Sequence, residues 1–173
     1  MFRHIILVGL IAAAPSIAAD AALNIGTAID EDAAAAKGIS ALPSGSGLPA
    51  GRGSAVEGSK IYQQQCASCH GERGEGKADF AALVGGRGTL ASDKPLLTVG
   101  SYWPTATTIF DYISRAMPYQ APGSLSADEV YALTAWILSE NKIIDKSQVL
   151  DREALLKVTM PNANGFVRPT GPK

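Results

Sequence analysis

The sequence of 173 residues contains few cysteines, histidines and methionines, few aromatic residues and no long apolar run. It has two cysteines, two histidines and three methionines, and aromatic residues make up 6% of the chain. With 15 basic against 16 acidic residues and no basic stripe, the chain lacks the charge distribution that binds nucleic acid. No alternation of apolar and polar residues is long enough to require a sheet. The few residues capable of chemistry therefore direct the functional interpretation.

The longest apolar run covers residues 5–14 and is too short for a transmembrane helix, which needs about 20 apolar residues. An arginine precedes the run and small residues follow it, as in a secretory signal peptide. We predict a signal peptide over residues 1–21, cleaved between about Ala18 and Ala22, and therefore periplasmic export. A retained N-terminal anchor is the alternative. After cleavage the chain has no membrane span and one histidine, His70.

The rest of the chain divides by composition into three parts. Residues 22–53 are mostly Ala, Gly, Ser and Pro, which predicts a flexible linker or partner-binding extension. Residues 54–158 are predicted to form the folded domain, and residues 159–173 a tail rich in Pro and Gly. The ordered part is therefore expected to be small.

Helical patterns dominate the predicted domain. Capping-box spacing of Ser54 with Glu57 predicts a helix that runs to about Cys66. Apolar residues at helical spacing predict a second helix over about 105–116. A second capping box, at Ser126 and Glu129, begins an apolar stripe, and residues 151–158 can form a short helix. The fold class is predicted as all-α; the predicted sequence positions of these elements are Gly58–Cys66, Thr105–Ala116, Ser126 onward and Asp151–Val158.

Both cysteines and the remaining histidine lie in one stretch, Cys66-Ala67-Ser68-Cys69-His70. A redox disulfide is one interpretation, but the surrounding pattern shows no βαβ unit and the adjacent histidine stays unexplained. Structural zinc is a second, but it needs four protein ligands and the motif offers three. Covalent haem attachment, for which Cys-x-x-Cys-His is the recognised signature, accounts for all three residues. We therefore predict one haem c, held by two thioether links and ligated by His70.

The sixth iron ligand has two candidates, since no second histidine remains after cleavage. These are the thioethers of Met117 and Met160, and each precedes a proline. Met117 lies between the two strongest predicted helices, so it is preferred, and an ordinary core methionine is the alternative for either. A His/Met iron has a raised reduction potential. Tyr102 and Trp103 could contact the haem propionates or simply pack in the core.

The region from about Gly58 to Leu138 resembles a class I c-type cytochrome. The resemblance rests on "GSKIYQQQCASCHG", a central Met-Pro pair and "LSADEVYALTAWIL". It implies helices packed around one haem, with Gly58 and Tyr62 crossing the last helix near Leu133 and Trp136. It also implies Met117 as the distal ligand. The Gly-Pro turn usual in the family is missing, so the carbonyl that orients His70 is not predicted.

A narrower resemblance, through "TVGSYWPTATTIFDYISRAMPYQAPGSL" and "MPNANGF", is to the cytochrome subunits of periplasmic sulfite and sulfane dehydrogenases. It implies an electron-transfer subunit without catalysis of its own. Its donor would be a molybdenum-cofactor subunit and its acceptor a cytochrome or oxidase. The single haem motif favours the sulfite type, because the sulfane type has two. The alternatives are a freely diffusing shuttle and a haem enzyme or gas-binding protein with an open sixth site.

Overall fold

The computed structural model describes residues 40–167, which are mainly helical with two short strands. The elements are β1 (Arg52–Ser54), α1 (Ala55–Gln65), α2 (Ala67–His70), α3 (Ala106–Ala116), α4 (Ala127–Glu140), β2 (Val149–Asp151) and α5 (Arg152–Leu156). The predicted signal peptide, residues 22–39 and residues 168–173 lie outside the described part. Among the described residues, no helix combines the length and apolar character needed to cross a bilayer.

Both predicted capping boxes are present, and they begin α1 and α4, the two helices that pack against each other. The Ser54 hydroxyl accepts a hydrogen bond from the Glu57 amide at 3.3 Å, and the Glu57 carboxylate accepts one from the Ser54 amide at 2.8 Å. Ser126 and Glu129 repeat this exchange at 3.3 and 2.8 Å. Each box satisfies amides that a helix N-terminus leaves without intrahelical partners. The predicted starts of α1 and α4 are therefore confirmed.

Helices α1 and α4 cross in close contact, as the resemblance implied. A Cβ atom added to Gly58 would lie 1.9 Å from the Ala132 carbonyl oxygen, so only glycine permits this separation. One turn later, the Tyr62 ring stacks on Trp136 with 3.7 Å between centroids and 27° between planes. Leu133 is buried beside this contact. The crossing places the C-terminal end of α1, where the Cys-x-x-Cys-His motif begins, against the centre of α4.

The all-α prediction is wrong in one respect, because β1 and β2 form a small antiparallel sheet. Gly53 pairs with Leu150 at its centre. Strands of three residues show no detectable alternation, so the sequence pattern could not reveal them. A Cβ atom on Gly53 would lie 2.3 Å from the Ala132 amide nitrogen, which explains the glycine. The sheet closes the core over Leu150, which is fully buried.

Some described residues of the segment predicted as a flexible linker are buried in the core. Ala41 and Leu48 are buried, and the Ala41 amide donates to the Asp111 carboxylate on α3 at 2.7 Å. Packed structure thus begins before residue 54 and includes Met160 at the other end, which is 3% exposed. Two isolated apolar side chains among Gly, Ser and Pro were too weak a signal to indicate this burial.

Candidate functional site

The Cys-x-x-Cys-His motif is positioned by helical hydrogen bonds that continue past the end of α1. The Cys66 amide donates to the Tyr62 carbonyl at 2.9 Å, and the His70 amide donates to the Cys66 carbonyl at 2.9 Å. Residues three apart on such a turn share a face, so the thiols of Cys66 and Cys69 are presented on one side. The Tyr62 hydroxyl donates to the Gly71 carbonyl at 2.9 Å and ties the end of the motif back to α1.

The Cys66 thiol lacks the lowered pKa of a reactive cysteine. Within the described residues both are free thiols. Burial, and secondly the neighbouring Cys69, raises the pKa of the Cys66 thiol to about 11. Reactive cysteines of the dithiol oxidoreductases have lowered pKa values instead. Between residues 40 and 167 no group of three or more His, Cys, Asp and Glu side chains is arranged to hold a metal ion.

The imidazole of His70 is oriented by a backbone carbonyl that the sequence did not identify. Its Nδ1 lies 2.9 Å from the Ala81 oxygen. A carbonyl oxygen can only accept, so Nδ1 carries the proton and donates it, leaving the lone pair on Nε2. This is the usual arrangement of a metal-ligating histidine, whose second nitrogen is fixed by an acceptor in the protein. The geometry of His70 therefore suits an iron ligand.

An apolar cavity of about 270 Å³ joins the motif to α3 and α4. Its lining is almost entirely apolar, as expected of a site for a large hydrophobic cofactor. The lining residues include Cys66, Cys69, His70, Phe80, Ala81, Leu83, Thr98, Val99, Trp103, Ile109, Tyr112, Ile113, Met117, Tyr119, Leu125, Leu133 and Ile137. The cavity thus brings together both thiols, one imidazole and one thioether within an apolar wall.

Of the two candidate methionines, only Met117 lines this cavity. Its amide donates to the Ile113 carbonyl at 3.1 Å and ends α3, and its backbone is extended, as expected before Pro118. Met160 is buried in a different place, beside a second cavity that it lines with Leu155. The structure therefore groups Met117, and not Met160, with the Cys-x-x-Cys-His motif.

Of the two adjacent aromatic residues predicted as candidates, Trp103 lines the cavity and Tyr102 does not. Trp103 lines the cavity and meets Tyr112 edge to face, with 5.8 Å between ring centroids. Tyr102 is 39% exposed and packs on Phe166 instead, with 5.1 Å between centroids. Tyr112, which is 45% exposed, also lines the cavity and was not predicted from the sequence. Tyr102 is thus not among the cavity residues.

Two comparisons with known proteins found similar chains. The family model described as "Cytochrome C oxidase, cbb3-type, subunit III" matches residues 53–137. The crystal structure of the sulfane dehydrogenase SoxCD from Paracoccus pantotrophus contains a chain that is 37% identical, with a TM-score of 0.79. That match covers 86% of this chain and 73% of the other. No curated protein matches the sequence at a significant level.

Proposed function

The chain belongs to the class I c-type cytochromes, and on that premise we propose that it is the monohaem electron-transfer subunit of a periplasmic sulfur-compound dehydrogenase. One observation carries the proposal: Cys66, Cys69, His70 and Met117 line a single apolar cavity. These residues are the two thiols, the imidazole and the thioether that such a cytochrome uses.

Each of the four residues has a distinct part in holding the cofactor. Cys66 and Cys69 would form the thioether links, and His70 Nε2 and the Met117 sulfur would ligate the iron. Haem c, when bound, supplies one-electron exchange between ferric and ferrous iron. The apolar wall formed by residues such as Ile109 would exclude water from the haem, and His70 and Met117 would hold the iron in both oxidation states. The chain's own contribution is attachment, orientation and a dry environment.

The proposed donor is a molybdenum-cofactor subunit that oxidises an inorganic sulfur compound, with sulfite as the preferred substrate. The similarity to sulfane dehydrogenase SoxCD supports this class of partner. The single Cys-x-x-Cys-His motif supports the monohaem sulfite type. Electrons would leave to a downstream cytochrome or oxidase. Export to the periplasm, with loss of residues 1–21, belongs to the same proposal.

Replacing the two candidate methionines in turn tests the iron ligation. Met117→Leu should abolish the weak near-infrared sulfur-to-iron charge-transfer band and allow rapid carbon monoxide binding, because leucine cannot ligate iron. Met160→Leu is the matched control: it changes a more deeply buried methionine by a similar volume, which usually costs less than about 1.5 kcal/mol. The control should keep the band. Rapid carbon monoxide binding by the wild-type protein would instead indicate an open sixth site.

Isolation of the protein from its native periplasm tests the partner. We expect the purified complex to contain molybdenum, and we expect sulfite to reduce the haem within that complex. Reduction by other sulfur compounds but not by sulfite would reassign the substrate to the sulfane type. Recovery of the cytochrome as a single chain without molybdenum would support a diffusing shuttle and contradict the subunit assignment.

A further inference from the structure

Asn141, at the C-terminal end of α4, is a buried polar residue whose side chain reaches a distant loop. It is 8% exposed and makes three hydrogen bonds through its amide. Its Nδ2 donates to the Leu83 carbonyl at 3.1 Å and to the Ile137 carbonyl at 2.9 Å, and its Oδ1 accepts from the Gly85 amide at 3.0 Å. A helix cap needs only the bond to Ile137. The other two bonds hold a segment more than 50 residues away in sequence.

The segment held by Asn141 continues directly from Ala81, whose carbonyl accepts the His70 Nδ1 proton. The loop is also held at Gly74, whose carbonyl accepts from the amides of Leu83 and Val84 at 2.8 and 2.9 Å. Leu83 is thus bonded through its amide to Gly74 and through its carbonyl to Asn141. Only Ala82 stands between Leu83 and Ala81, the acceptor of the histidine proton, so movement of Leu83 would displace that acceptor.

Thr98 holds the same loop from the other side. Its hydroxyl donates to the Gly85 carbonyl at 2.7 Å, so Gly85 is held at its carbonyl by Thr98 and at its amide by Asn141. Gly100 permits this arrangement, since a Cβ atom there would lie 2.0 Å from the Asn141 Oδ1. Both polar side chains are buried and fully bonded, which makes the loop position well determined.

We propose that Asn141 is a positioning residue for His70, acting through the loop of residues 81–85 and the Ala81 carbonyl to lower the reduction potential of the haem that His70 would ligate. The inference rests on the proposed haem ligation by His70. A histidine that donates its Nδ1 proton to a fixed acceptor is a more basic ligand, and a more basic ligand favours ferric iron. Loosening the loop should weaken that hydrogen bond and shift the equilibrium toward ferrous iron.

Two variants and two matched controls test the proposal in the haem-loaded protein. Asn141→Ala removes the amide, and Thr98→Val removes the hydroxyl while keeping the side-chain shape. Ser139→Ala and Thr134→Val are the controls: both residues are buried on α4, and each hydroxyl bonds only a carbonyl of its own helix. All four changes remove a buried hydrogen bond, so all are expected to lower stability. Only the first two touch the loop.

The decisive readouts are the reduction potential and the solvent exchange rate of the His70 Nδ1 proton, measured by NMR. Asn141→Ala should raise the ferrous-to-ferric ratio at a fixed ambient potential by up to about tenfold, equivalent to about 59 mV for a one-electron couple. It should also speed exchange of the proton. Thr98→Val should change both in the same direction, and the controls should change neither.

Lower stability with an unchanged potential and unchanged exchange in both test variants would overturn the proposal and leave Asn141 as a helix cap. If Asn141→Ala does not load haem, Thr98→Val decides by the same two readouts. Failure of the proposed function is distinguishable, because the wild-type protein itself would then lack haem ligated by His70.

Discussion

The two faces of α4 are packed in different ways. On one face Ala132 and Trp136 meet Gly58 and Tyr62 of α1 at contact distances that leave no space for an added methyl group. On the other face Leu133 and Ile137 are part of the wall of the apolar cavity. The first face is completed by the chain's own side chains. The second lines the cavity that the proposed haem would fill.

The fold and the proposed cofactor site share helix α4, but the first depends on packing against α1 and the second on the group that fills the cavity. The residues from Val130 to Ser139 are all buried, so α4 has no solvent-facing side in its central turns. A small helical domain gains stability in proportion to the apolar surface it buries, and a porphyrin adds a large amount of such surface. The face of α4 that lines the cavity should therefore be the first part to lose its packed structure in the absence of haem.

The largest effect is expected from removing both thiols. The double variant Cys66→Ala, Cys69→Ala should contain no covalent haem, and its thermal transition should lose cooperativity. Hydrogen exchange should show residual protection in α1 and α4, where packing needs only the chain, and little in α3. Circular dichroism, together with exchange mass spectrometry, measures both expectations.

Ser68→Ala is the control for that experiment, since Ser68 lies between the two cysteines and is exposed. It should retain haem and the wild-type melt. A cooperative, native-like transition in the haem-free double variant would show that the cavity face is stable by itself, and the contrast between the faces would fail.

A smaller effect on stability is expected at the face of α4 that packs against α1. Gly58→Ala would favour an isolated helix by about 1 kcal/mol. Here the added Cβ would lie 2.5 Å from the Ala132 carbonyl carbon, so α1 and α4 must separate. We expect a net destabilisation of about 2–3 kcal/mol, in the range of overpacked cores, from denaturant unfolding of the haem protein.

Gly88→Ala is the comparison variant for Gly58→Ala. No atom lies within 4 Å of its added Cβ, and its φ of 79° leaves only the cost of a left-handed backbone, about 1–2 kcal/mol. If Gly58→Ala stabilised the protein, helix propensity would outweigh the contact and the close crossing would be wrong.

The features that the sequence revealed depend on residues close together in the chain. Each capping box joins residues three apart, and the stripe on α3 repeats within one turn, so these helices were predictable. The Cys-x-x-Cys-His motif is equally local. The preference for Met117 over Met160 rested on the placement of Met117 between two predicted helices, and the structure puts Met117 in the wall of the cavity.

The features that were missed depend on contacts between distant segments. β1 and β2 pair residues 52–54 with residues 149–151, and nothing local in either triplet indicates the partner. The acceptor of the His70 proton is a backbone carbonyl, which any residue at position 81 would supply. Asn141 looks like an ordinary cap in sequence, because its bonds to Leu83 and Gly85 exist only in the folded chain.

The smallest effect is expected from Tyr62→Phe, which keeps the stack on Trp136 and removes the bond to the Gly71 carbonyl. The loss should be about 1–2 kcal/mol near neutral pH, as for a buried hydrogen bond. Burial raises the pKa of Tyr62 in the folded state. The stability that its neutral form contributes is therefore complete below about pH 10, where an unfolded tyrosine titrates, and is lost as pH rises above it.

The difference in unfolding free energy between wild type and Tyr62→Phe should therefore shrink between about pH 8 and about pH 11. Denaturant titrations at the two pH values measure this change. Tyr119→Phe is the control, since Tyr119 is 82% exposed, and it should show no such trend. A difference that grew with pH would contradict the buried, neutral phenol at the α1–α4 contact.

The most direct test of the account is the intact mass of the protein purified from the periplasm, with its visible spectrum. We expect a red protein whose mass equals that of the processed polypeptide plus one haem, with the haem retained on a peptide containing Cys66 and Cys69. A colourless protein, or a mass equal to that of the polypeptide alone, would contradict the central claim.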